Sequence, residues 1–507
     1  MKTIQILFSL CLFSFMPAKA SAEQKPNILF ILIDDLGWAD VGCYGSTFHE
    51  TPHIDRLAKQ GIKFMDAYAA SAICSPTRAS ILTGKYPSRP EIGITRATPQ
   101  QSLPLKEITY AEVLKREGYA TAHIGKWHLH SHKDKGKSHY PEAQGFDLNV
   151  AGHSQGQPAS FFYPYKAKAE KYASKNVPDL EKEGKDGEYL TDRLTDEAIK
   201  FVKKSQDLGK PFLLNMWYYT VHTPVTGKPE KIAKYAEKAE KMGISDDFDT
   251  IDSYGTGHKK IQNSPDYAAM IESMDENVGR LLACLKKQGI ADNTMVIFTS
   301  DNGGLSSTKI TSNLPLRGGK AWIFEGGIRE PLIIKYPGVT KGGAVCTEPV
   351  ISTDFYPTIL AAVGLDLMPD QHKDGLSLMP LLKNPGKTLN RDALYFHLPV
   401  YHHLNSMGPV GAVRSGDHKL IQRFEEPDNP QLYNLTDDNG EMNDLAQSQP
   451  ELTATLKAKL EQWQRTTGAV IPSIDELKEI RAKANKSAEA KAARKQNQNR
   501  KKKTKKQ

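Results

Sequence analysis

Uncharged, strand-length runs that end in acidic or amide side chains constrain the fold of this chain more than any other feature. Residues 27–33 read NILFILI and are followed directly by Asp34 and Asp35. Residues 294–299 read TMVIFT and lead, one residue later, to an Asp-Asn-Gly-Gly segment. Such runs, placed between helical patterns, are typical of parallel strands that helices cover on both faces. The chain is therefore predicted to be an α/β protein with a mostly parallel, buried sheet.

Two further apolar runs are also followed by polar residues. Residues 212–219 precede His222, and residues 120–124 lead into Lys126 and His128. In open α/β sheets, ligands bind beside the carboxyl ends of the strands. The polar residues that follow these runs are therefore predicted to meet at one edge of the sheet and to form a functional site there.

The acidic and amide residues at two of these strand ends have the composition of a metal site. Asp34 and Asp35 follow one run, and Asp301 and Asn302 follow the other. They offer hard oxygen ligands with no histidine or thiolate among them, which favours calcium or magnesium over zinc. Either pair alone is more often a helix cap or a turn. Two pairs at two strand ends favour the metal site.

The segment that begins at Cys74 reads CSPTRASILTG and predicts a short helix with an anion-binding start. Pro76 suits the first turn of a helix and Gly84 suits its end, so Cys74 is placed at the amino terminus, where free amides attract anions. Arg78 lies four residues further on, on the same helical face, and adds a guanidinium suited to sulfate oxygens. The alternative is a structural cysteine before a short helix.

Two segments resemble the signatures of one enzyme family. Residues 74–84 and residues 118–128, which read GYATAHIGKWH, are similar to the first and second signatures of the type I, formylglycine-dependent sulfatases of the alkaline-phosphatase-like superfamily. The resemblance extends from about residue 26 to about residue 465, with Thr77 where serine is frequent. It implies a sandwich in which a large mixed, mostly parallel sheet lies between helices. A smaller C-terminal α+β domain with an antiparallel sheet would follow.

The resemblance also implies a cofactor and a modified residue. A separate maturation system would oxidise Cys74 to formylglycine (3-oxoalanine), whose hydrate attacks sulfur. One Ca²⁺ would be held by the side chains of Asp34, Asp35, Asp301 and Asn302 and by the residue derived from Cys74.

Five further residues receive catalytic roles from the same resemblance. Arg78 and Lys126 would hold the aldehyde hydrate and neutralise sulfate charge. His222 and Lys320 would contact sulfate and protonate the leaving oxygen, and His128 would remove the proton that allows sulfate to be expelled. Preorganised cations around a site where negative charge develops are a common source of catalysis.

The substrate and the exact reaction leave alternatives open. The predicted function is hydrolysis of sulfate monoesters on sulfated carbohydrates, either algal polysaccharides or glycosaminoglycan oligosaccharides. A phosphonate or phosphate monoester hydrolase of the same superfamily and an inactive sulfated-glycan binder are the alternatives. Five side chains near the C-terminus are candidates for the sugar pocket, although such residues are also common on ordinary surfaces: Tyr395, His397, His402, His403 and Arg414.

The ends of the chain predict export and a basic tail. Residues 1–22 combine a lysine, an apolar run and small residues, which indicates a cleavable signal peptide and a periplasmic or secreted protein with no stable membrane span. The catalytic domain is predicted at 23–384, a C-terminal subdomain at 385–470 and a disordered basic tail at 471–507. Residues 481–507 hold 12 Lys or Arg and one acid. The net charge of +8 therefore belongs to the tail, and no nucleic-acid partner is predicted.

Overall fold

A computed structural model describes residues 25–479 apart from 95–100, 132, 135, 246–247 and 251–256, together with 481–482. The predicted signal peptide and most of the predicted tail lie outside these residues. Within the described ranges, no helix combines the length and the apolar character that a membrane crossing requires. The thiols of Cys43, Cys74, Cys284 and Cys346 form no disulfide.

The described chain alternates strands with helices and ends in a run of strands. Its strands are β1 (Asn27–Ile33), β2 (Ile62–Tyr68), β3 (Ala120–Gly125), β4 (Leu148–Val150), β5 (Phe212–Trp217), β6 (Phe248–Thr250), β7 (Gly257–Lys259), β8 (Thr294–Ser300), β9 (Arg329–Lys335), β10 (Ala344–Cys346), β11 (Val350–Ile351), β12 (Leu394–Leu398), β13 (Val410–Ser415), β14 (His418–Arg423) and β15 (Gln431–Asn434). Its α-helices are α1 (Pro52–Gln60), α2 (Cys74–Thr83), α3 (Tyr110–Arg116), α4 (Leu190–Asp207), α5 (Pro229–Lys241), α6 (Pro265–Lys287), α7 (Glu325–Ile328), α8 (Phe355–Ala362), α9 (Met379–Lys383) and α10 (Pro450–Thr467).

A nine-stranded sheet forms the centre of the protein. The strand order is β10-β2-β9-β8-β1-β5-β3-β4, and β11 also pairs with β2. Strands β8, β1, β5, β3 and β4 run parallel to one another, whereas β9 is antiparallel to both of its neighbours. The carboxyl ends of β1, β3, β5 and β8 therefore lie along one edge of the sheet. The predicted mixed, mostly parallel sheet is confirmed.

Helices cover both faces of this sheet, which explains why its central strands are uncharged and mostly apolar. All seven residues of β1 are buried. Leu29 and Ile31 pack into a core that includes residues of α1, α4 and α6, whereas Phe30 and Leu32 pack into a second core with residues of α2, α3 and α8. Because successive side chains of a strand point to opposite faces, an all-apolar strand requires this two-sided cover.

The last strands form a separate antiparallel sheet. Strands β12, β13, β14 and β15 pair in chain order, each antiparallel to the next. Helix α10 contributes Leu456 and Leu460 to the core that this sheet shares with the preceding part of the chain. The predicted α+β character of the C-terminal region is confirmed, and the boundary at residue 385 stays a prediction.

One helix lies in the polar, charged segment 223–264, for which no helix is predicted above. Helix α5 lies in this segment and packs on α6. It adds few apolar side chains to the core: Tyr235 is fully buried and Ile232 is partly buried. Lys231 Nζ binds Glu272 Oε1 at 2.7 Å and Glu276 Oε1 at 2.6 Å on α6. Helix α5 is therefore amphipathic, with a narrow apolar stripe that packs on α6 and with ion pairs beside that stripe.

A buried ion network joins the C-terminal sheet to the preceding part of the chain. Lys419 Nζ on β14 lies 2.9 Å from Glu325 Oε1 and 2.8 Å from Glu441 Oε1, and none of the three side chains is exposed. The Tyr68 hydroxyl donates to Glu325 Oε2 at 2.6 Å. Burial opposes ionisation of Glu325, but Lys419 and then Arg329 outweigh it and lower the pKa of Glu325 to about 2. Burial raises the pKa of Glu441 to about 7, so the charge of the network is carried by the buried ion pair of Lys419 with Glu325.

Replacing the central cation of this network is expected to destabilise the fold. In Lys419→Met two buried carboxylates lose their shared partner, which costs about 3–5 kcal/mol in the free energy of unfolding. Chemical denaturation followed by circular dichroism measures this loss. The matched control is Lys459→Met, which removes an exposed ion pair with Asp392 and is expected to cost about 0–1 kcal/mol. Equal effects of the two substitutions would show that the buried network adds little stability.

Candidate active site

The carboxyl ends of β1 and β8 bring three carboxylates together. Ile33 is paired with Ser300 in the sheet, so the residues that follow them, Asp34 and Asp301, emerge side by side. Asp34, Asp35 and Asp301 are all fully buried. The Asp35 amide donates to Asp301 Oδ1 at 3.2 Å, which ties the two strand ends together.

Each of these carboxylates has a cationic partner. Lys126 Nζ, just beyond β3, lies 2.7 and 2.8 Å from the two oxygens of Asp34. Lys320 Nζ contacts the two oxygens of Asp35 at 2.5 and 2.7 Å. The guanidinium of Arg78 contacts Asp301 Oδ2 through Nη2 at 2.7 Å and through Nε at 2.8 Å. The cluster thus contains three buried acids and three buried cations.

Cys74 lies inside this charged cluster, at the first residue of α2 as predicted. Ligand atoms of Asp34, Cys74 and Asp301 all lie within 4.8 Å of one another. Helix α2 carries Arg78 one turn further on and ends at Gly84, which has the left-handed φ of 68° expected at a helix end. Cys74 is only 2% exposed, yet its neighbours are charged rather than apolar. Those surroundings do not match an ordinary core cysteine.

His128 is fixed against Cys74 by backbone contacts. Its Nδ1 atom lies 3.3 Å from Cys74 Sγ. The Ser75 hydroxyl donates to the His128 carbonyl at 2.8 Å, and the His128 amide donates to the His153 carbonyl at 3.0 Å. Burial lowers the pKa of His128 well below its ordinary value, and the cations Lys126 and Arg78 lower it further. Both effects favour the neutral form of the imidazole.

His222 borders the carboxylate cluster beside Asp35 and is partly exposed. Its Nε2 atom is 3.5 Å from Asp35 Oδ2, and its side chain is 13% exposed. Burial, followed by the charge of Lys320, lowers the pKa of His222 to about 3. Burial acts to raise the pKa of Asp35, but Lys320 and then His222 hold that pKa far below its ordinary value. The site is therefore most open where His222 and Lys320 meet Asp35.

Asn302 completes the group of residues at the end of β8. Its side-chain amide donates to Asp35 Oδ1 at 2.7 Å. Its Oδ1 atom is buried and has no hydrogen-bond donor among the described residues. The residues with a predicted catalytic or metal-binding role are thus brought together at one edge of the sheet: Asp34, Asp35, Cys74, Arg78, Lys126, His128, His222, Asp301, Asn302 and Lys320.

Two residues that position these groups were missed from the sequence. The Arg78 guanidinium lies over the ring of Trp217, with its Cζ atom 5.3 Å from the ring centroid. Gly125 has a φ of 107°, and a Cβ there would approach the Trp217 carbonyl to 2.0 Å. This close approach lets the Lys126 amide donate to the same carbonyl at 2.7 Å. The glycine before Lys126 was a readable signal, whereas Trp217 looks like any core residue.

Three of the candidate sugar-pocket residues have structural partners instead. Tyr395 stacks on Trp463 with ring centroids 4.8 Å apart. His397 Nε2 lies 3.0 Å from the Val470 carbonyl. Arg414, which is 6% exposed, binds the Tyr68 hydroxyl within the buried interface of the C-terminal sheet. These contacts account for the three side chains without a ligand, and their assignment to the sugar pocket stays a prediction.

His402 and His403 belong to a loop that meets the segment carrying Lys320. Asn405 Nδ2 donates to the Ala321 carbonyl at 2.7 Å. Burial and then the charges of His403 and Lys320 lower the pKa of His402 to about 3. His403 is exposed. These two residues remain candidates for substrate contact at the mouth of the site.

The sequence of this chain is similar to protein families and to individual proteins of known activity. The family model described as Sulfatase matches residues 26–365, and one described as N-sulphoglucosamine sulphohydrolase, C-terminal, matches residues 319–466. A sulfatase of Formosa agariphila is 32% identical to this chain, over 88% of this chain and 90% of its own length. The N-acetylgalactosamine-6-sulfatase of Homo sapiens is 34% identical, over 74% of this chain and 69% of its own length.

A solved structure extends the similarity to three dimensions. The crystal structure of Ps i-CgsB is 32% identical, with a TM-score of 0.71 over 87% of this chain and 93% of that chain. A second structure of the same protein contains k-i-k-neocarrahexaose. The Sulfatase match covers well over half of the present sequence, and the described residues share the alkaline-phosphatase-like fold of these neighbours. The chain therefore belongs to the sulfatase family and is a sulfuric ester hydrolase.

Proposed function

We propose that this enzyme removes sulfate from sulfated carbohydrates, using a formylglycine derived from Cys74 and one Ca²⁺. The observation that carries the proposal is the convergence of three buried carboxylates and three buried cations around Cys74. Such a cluster is expensive to bury for structural reasons alone, because replacing buried ion pairs with apolar residues is often neutral or stabilising. Strongly perturbed charged groups in one place are typical of active sites.

The charge balance of the cluster suits a sulfate ester bound beside a divalent ion. Arg78, Lys126 and Lys320 offset the three aspartates, so the protein groups sum to about zero. A divalent ion would leave an excess of two positive charges. A sulfate monoester carries one negative charge, and more charge develops on its leaving oxygen in the transition state. The excess therefore favours the transition state over the free substrate.

The donor set at the strand ends fits calcium. Ca²⁺ takes six to eight oxygen ligands from carboxylates, amide carbonyls and water, and Asp34, Asp35, Asp301 and Asn302 offer oxygens alone. The free acceptor at Asn302 Oδ1 supports this assignment, since a buried carbonyl oxygen without a donor otherwise costs stability. The oxygen derived from Cys74 would join these ligands. When bound, the ion polarises the sulfate group and makes a neighbouring hydroxyl easier to deprotonate.

The proposed nucleophile requires that Cys74 is oxidised by a separate maturation system. The formylglycine hydrate then offers two hydroxyls on one carbon, one for attack on sulfur and one whose deprotonation releases sulfate. His128 is placed for the second task, because its Nδ1 atom is 3.3 Å from the Cys74 side chain. Arg78 and Lys126 hold the charge of the hydrate and of the sulfate. His222 and Lys320 lie at the open side, where a leaving oxygen needs a proton.

A carbohydrate substrate is supported by the named relatives and by the mouth of the site. The similar N-acetylgalactosamine-6-sulfatases and the carrageenan-type complex of Ps i-CgsB concern sulfated sugars. In this chain the loop with His402 and His403 adds polar side chains beside Lys320. Polar groups of this kind fix the orientation of a hydroxyl-rich ligand.

The substrate class can be tested with a panel of defined compounds. We expect sulfate release from one or a few sulfated oligosaccharides with a higher kcat/KM than from small aryl sulfates, measured by ion chromatography. Cys74→Ala protein is the control for contaminating activity. A higher kcat/KM on phosphonate or phosphate monoesters would favour the alternative hydrolase. Tight glycan binding without turnover by fully matured protein would favour a binding protein.

A further inference from the structure

A second group of metal-binding side chains lies in the loop that follows His128. His130, Asp134 and His139 each offer a ligand atom, and these atoms lie within 4.8 Å of one another. None of the three belongs to the carboxylate cluster described above. We propose that this group is a separate site for a zinc-type divalent ion.

The three side chains are already held near one another. His139 Nδ1 lies 3.3 Å from Asp134 Oδ2. His130 is 4% exposed, and its ring packs edge-on against Tyr140 with centroids 4.7 Å apart. The Ser102 hydroxyl donates to Asp134 Oδ2, which orients the carboxylate. Carboxylate or hydroxyl partners of this kind commonly orient metal ligands in proteins.

The chemistry of this group differs from that of the calcium site. Imidazole is a borderline ligand, and two imidazoles with one carboxylate suit Zn²⁺ and related transition metals better than Ca²⁺. Three protein ligands leave a fourth tetrahedral position for water. The side chains of Asp134 and His139 are 33% and 22% exposed, so an ion can reach them from solvent. The two sites therefore differ in ion preference and can be loaded independently.

The position of the group indicates a structural task. The Trp127 indole donates to the His139 carbonyl at 2.9 Å, and the Ser131 amide donates to Ser102 Oγ at 2.7 Å. An ion shared by the first and last residues of the loop would close it just beyond Lys126 and His128. Closing a loop by a metal restricts the unfolded chain and stabilises the folded one. The ion is thus expected to brace the segment that carries two active-site residues.

The test uses the full-length enzyme with its first site saturated by calcium. Zn²⁺ binding is measured by isothermal titration calorimetry, and Co²⁺ is added as a probe whose visible spectrum reports tetrahedral nitrogen and oxygen coordination. We expect one equivalent to bind, with an increase in melting temperature. Asp301→Asn, which alters the calcium site, should still bind this equivalent.

Variants of the loop decide between this site and a plain histidine–aspartate ion pair. Ser102→Ala should weaken Zn²⁺ binding by about 10- to 100-fold, the usual effect of losing a group that orients a ligand. His139→Ala and Asp134→Asn should weaken it by at least that factor, whereas His418→Ala, a histidine change on β14, should leave it unaltered. Absence of saturable binding, or binding that persists unchanged in both ligand variants, would overturn the proposal.

Discussion

Cys74→Ala is expected to abolish sulfate release while leaving the protein folded. Deleting the nucleophile of a hydrolase lowers kcat by about 10⁴- to 10⁶-fold. Cys74 touches few apolar groups, so removal of its sulfur leaves little unfilled core. Initial rates on a sulfated oligosaccharide measure the loss of activity, and circular dichroism shows whether the protein is folded.

Conversion of Cys74 to formylglycine is expected in the active enzyme and can be detected by mass spectrometry. Trypsin releases residues 64–78 as one peptide, because Lys63 and Arg78 flank it. Its mass should be lower than that of the thiol form by the difference between cysteine and formylglycine. The control is Cys284→Ala, which changes a buried cysteine on α6 and should retain full activity. Fully active protein that contains only the unmodified thiol at position 74 would contradict the proposed nucleophile.

The central strands and the helix between them could be predicted from the sequence because their signals are strong. The runs at β1 and β8 are uncharged and buried along their whole length, which follows from their cover on both faces. Helix α6 spans Pro265–Lys287 and carries apolar residues at helical spacing, with Gly289 in the left-handed region just after it. Long amphipathic helices and two-sided strands leave few alternative structures. Helix α5 has only a narrow apolar stripe in a polar, charged segment, and no helix is predicted there.

The members of the candidate site could also be predicted, but their pairing could not. Strand ends, glycines and signatures pointed to the correct side chains. Only the fold shows that Lys126 meets Asp34, whereas Lys320 meets Asp35. Those contacts depend on loops whose course no local pattern encodes. The family resemblance assigns these lysines to sulfate and to the leaving oxygen, and those roles stay predictions.

Buried charges far from the site were invisible in the sequence. Lys419 and Glu325 have no exposed surface, although lysine and glutamate are almost always solvated. Nothing in the local sequence of β14 distinguishes Lys419 from a surface lysine. The same limit applies to Arg414, a candidate sugar contact that lies in the buried interface of the C-terminal sheet. Partners that are distant in sequence decide the environment of such residues.

Asp301→Asn is expected to remove both bound calcium and activity. The substitution keeps the shape of the side chain but removes a negative charge that the ion and Arg78 share. Loss of bound ion removes the stabilisation that calcium gives, about 2.7 kcal/mol when its concentration is 100 times the dissociation constant. Metal analysis and thermal unfolding with calcium or with chelator measure the two effects. Wild-type protein should show a calcium-dependent melting temperature, and the variant should not.

The matched control separates loss of the ion from loss of a buried ion pair. Asp374 receives two hydrogen bonds of 2.7 Å from the guanidinium of Arg89, outside the carboxylate cluster. Asp374→Asn is therefore expected to lower stability equally with calcium and with chelator, and to keep calcium content and activity. Wild-type activity that survives exhaustive removal of calcium and magnesium would contradict the oxygen-ligand assignment. So would stoichiometric zinc that is lost in Asp301→Asn but kept in His139→Ala, since zinc in the proposed loop site must behave the opposite way.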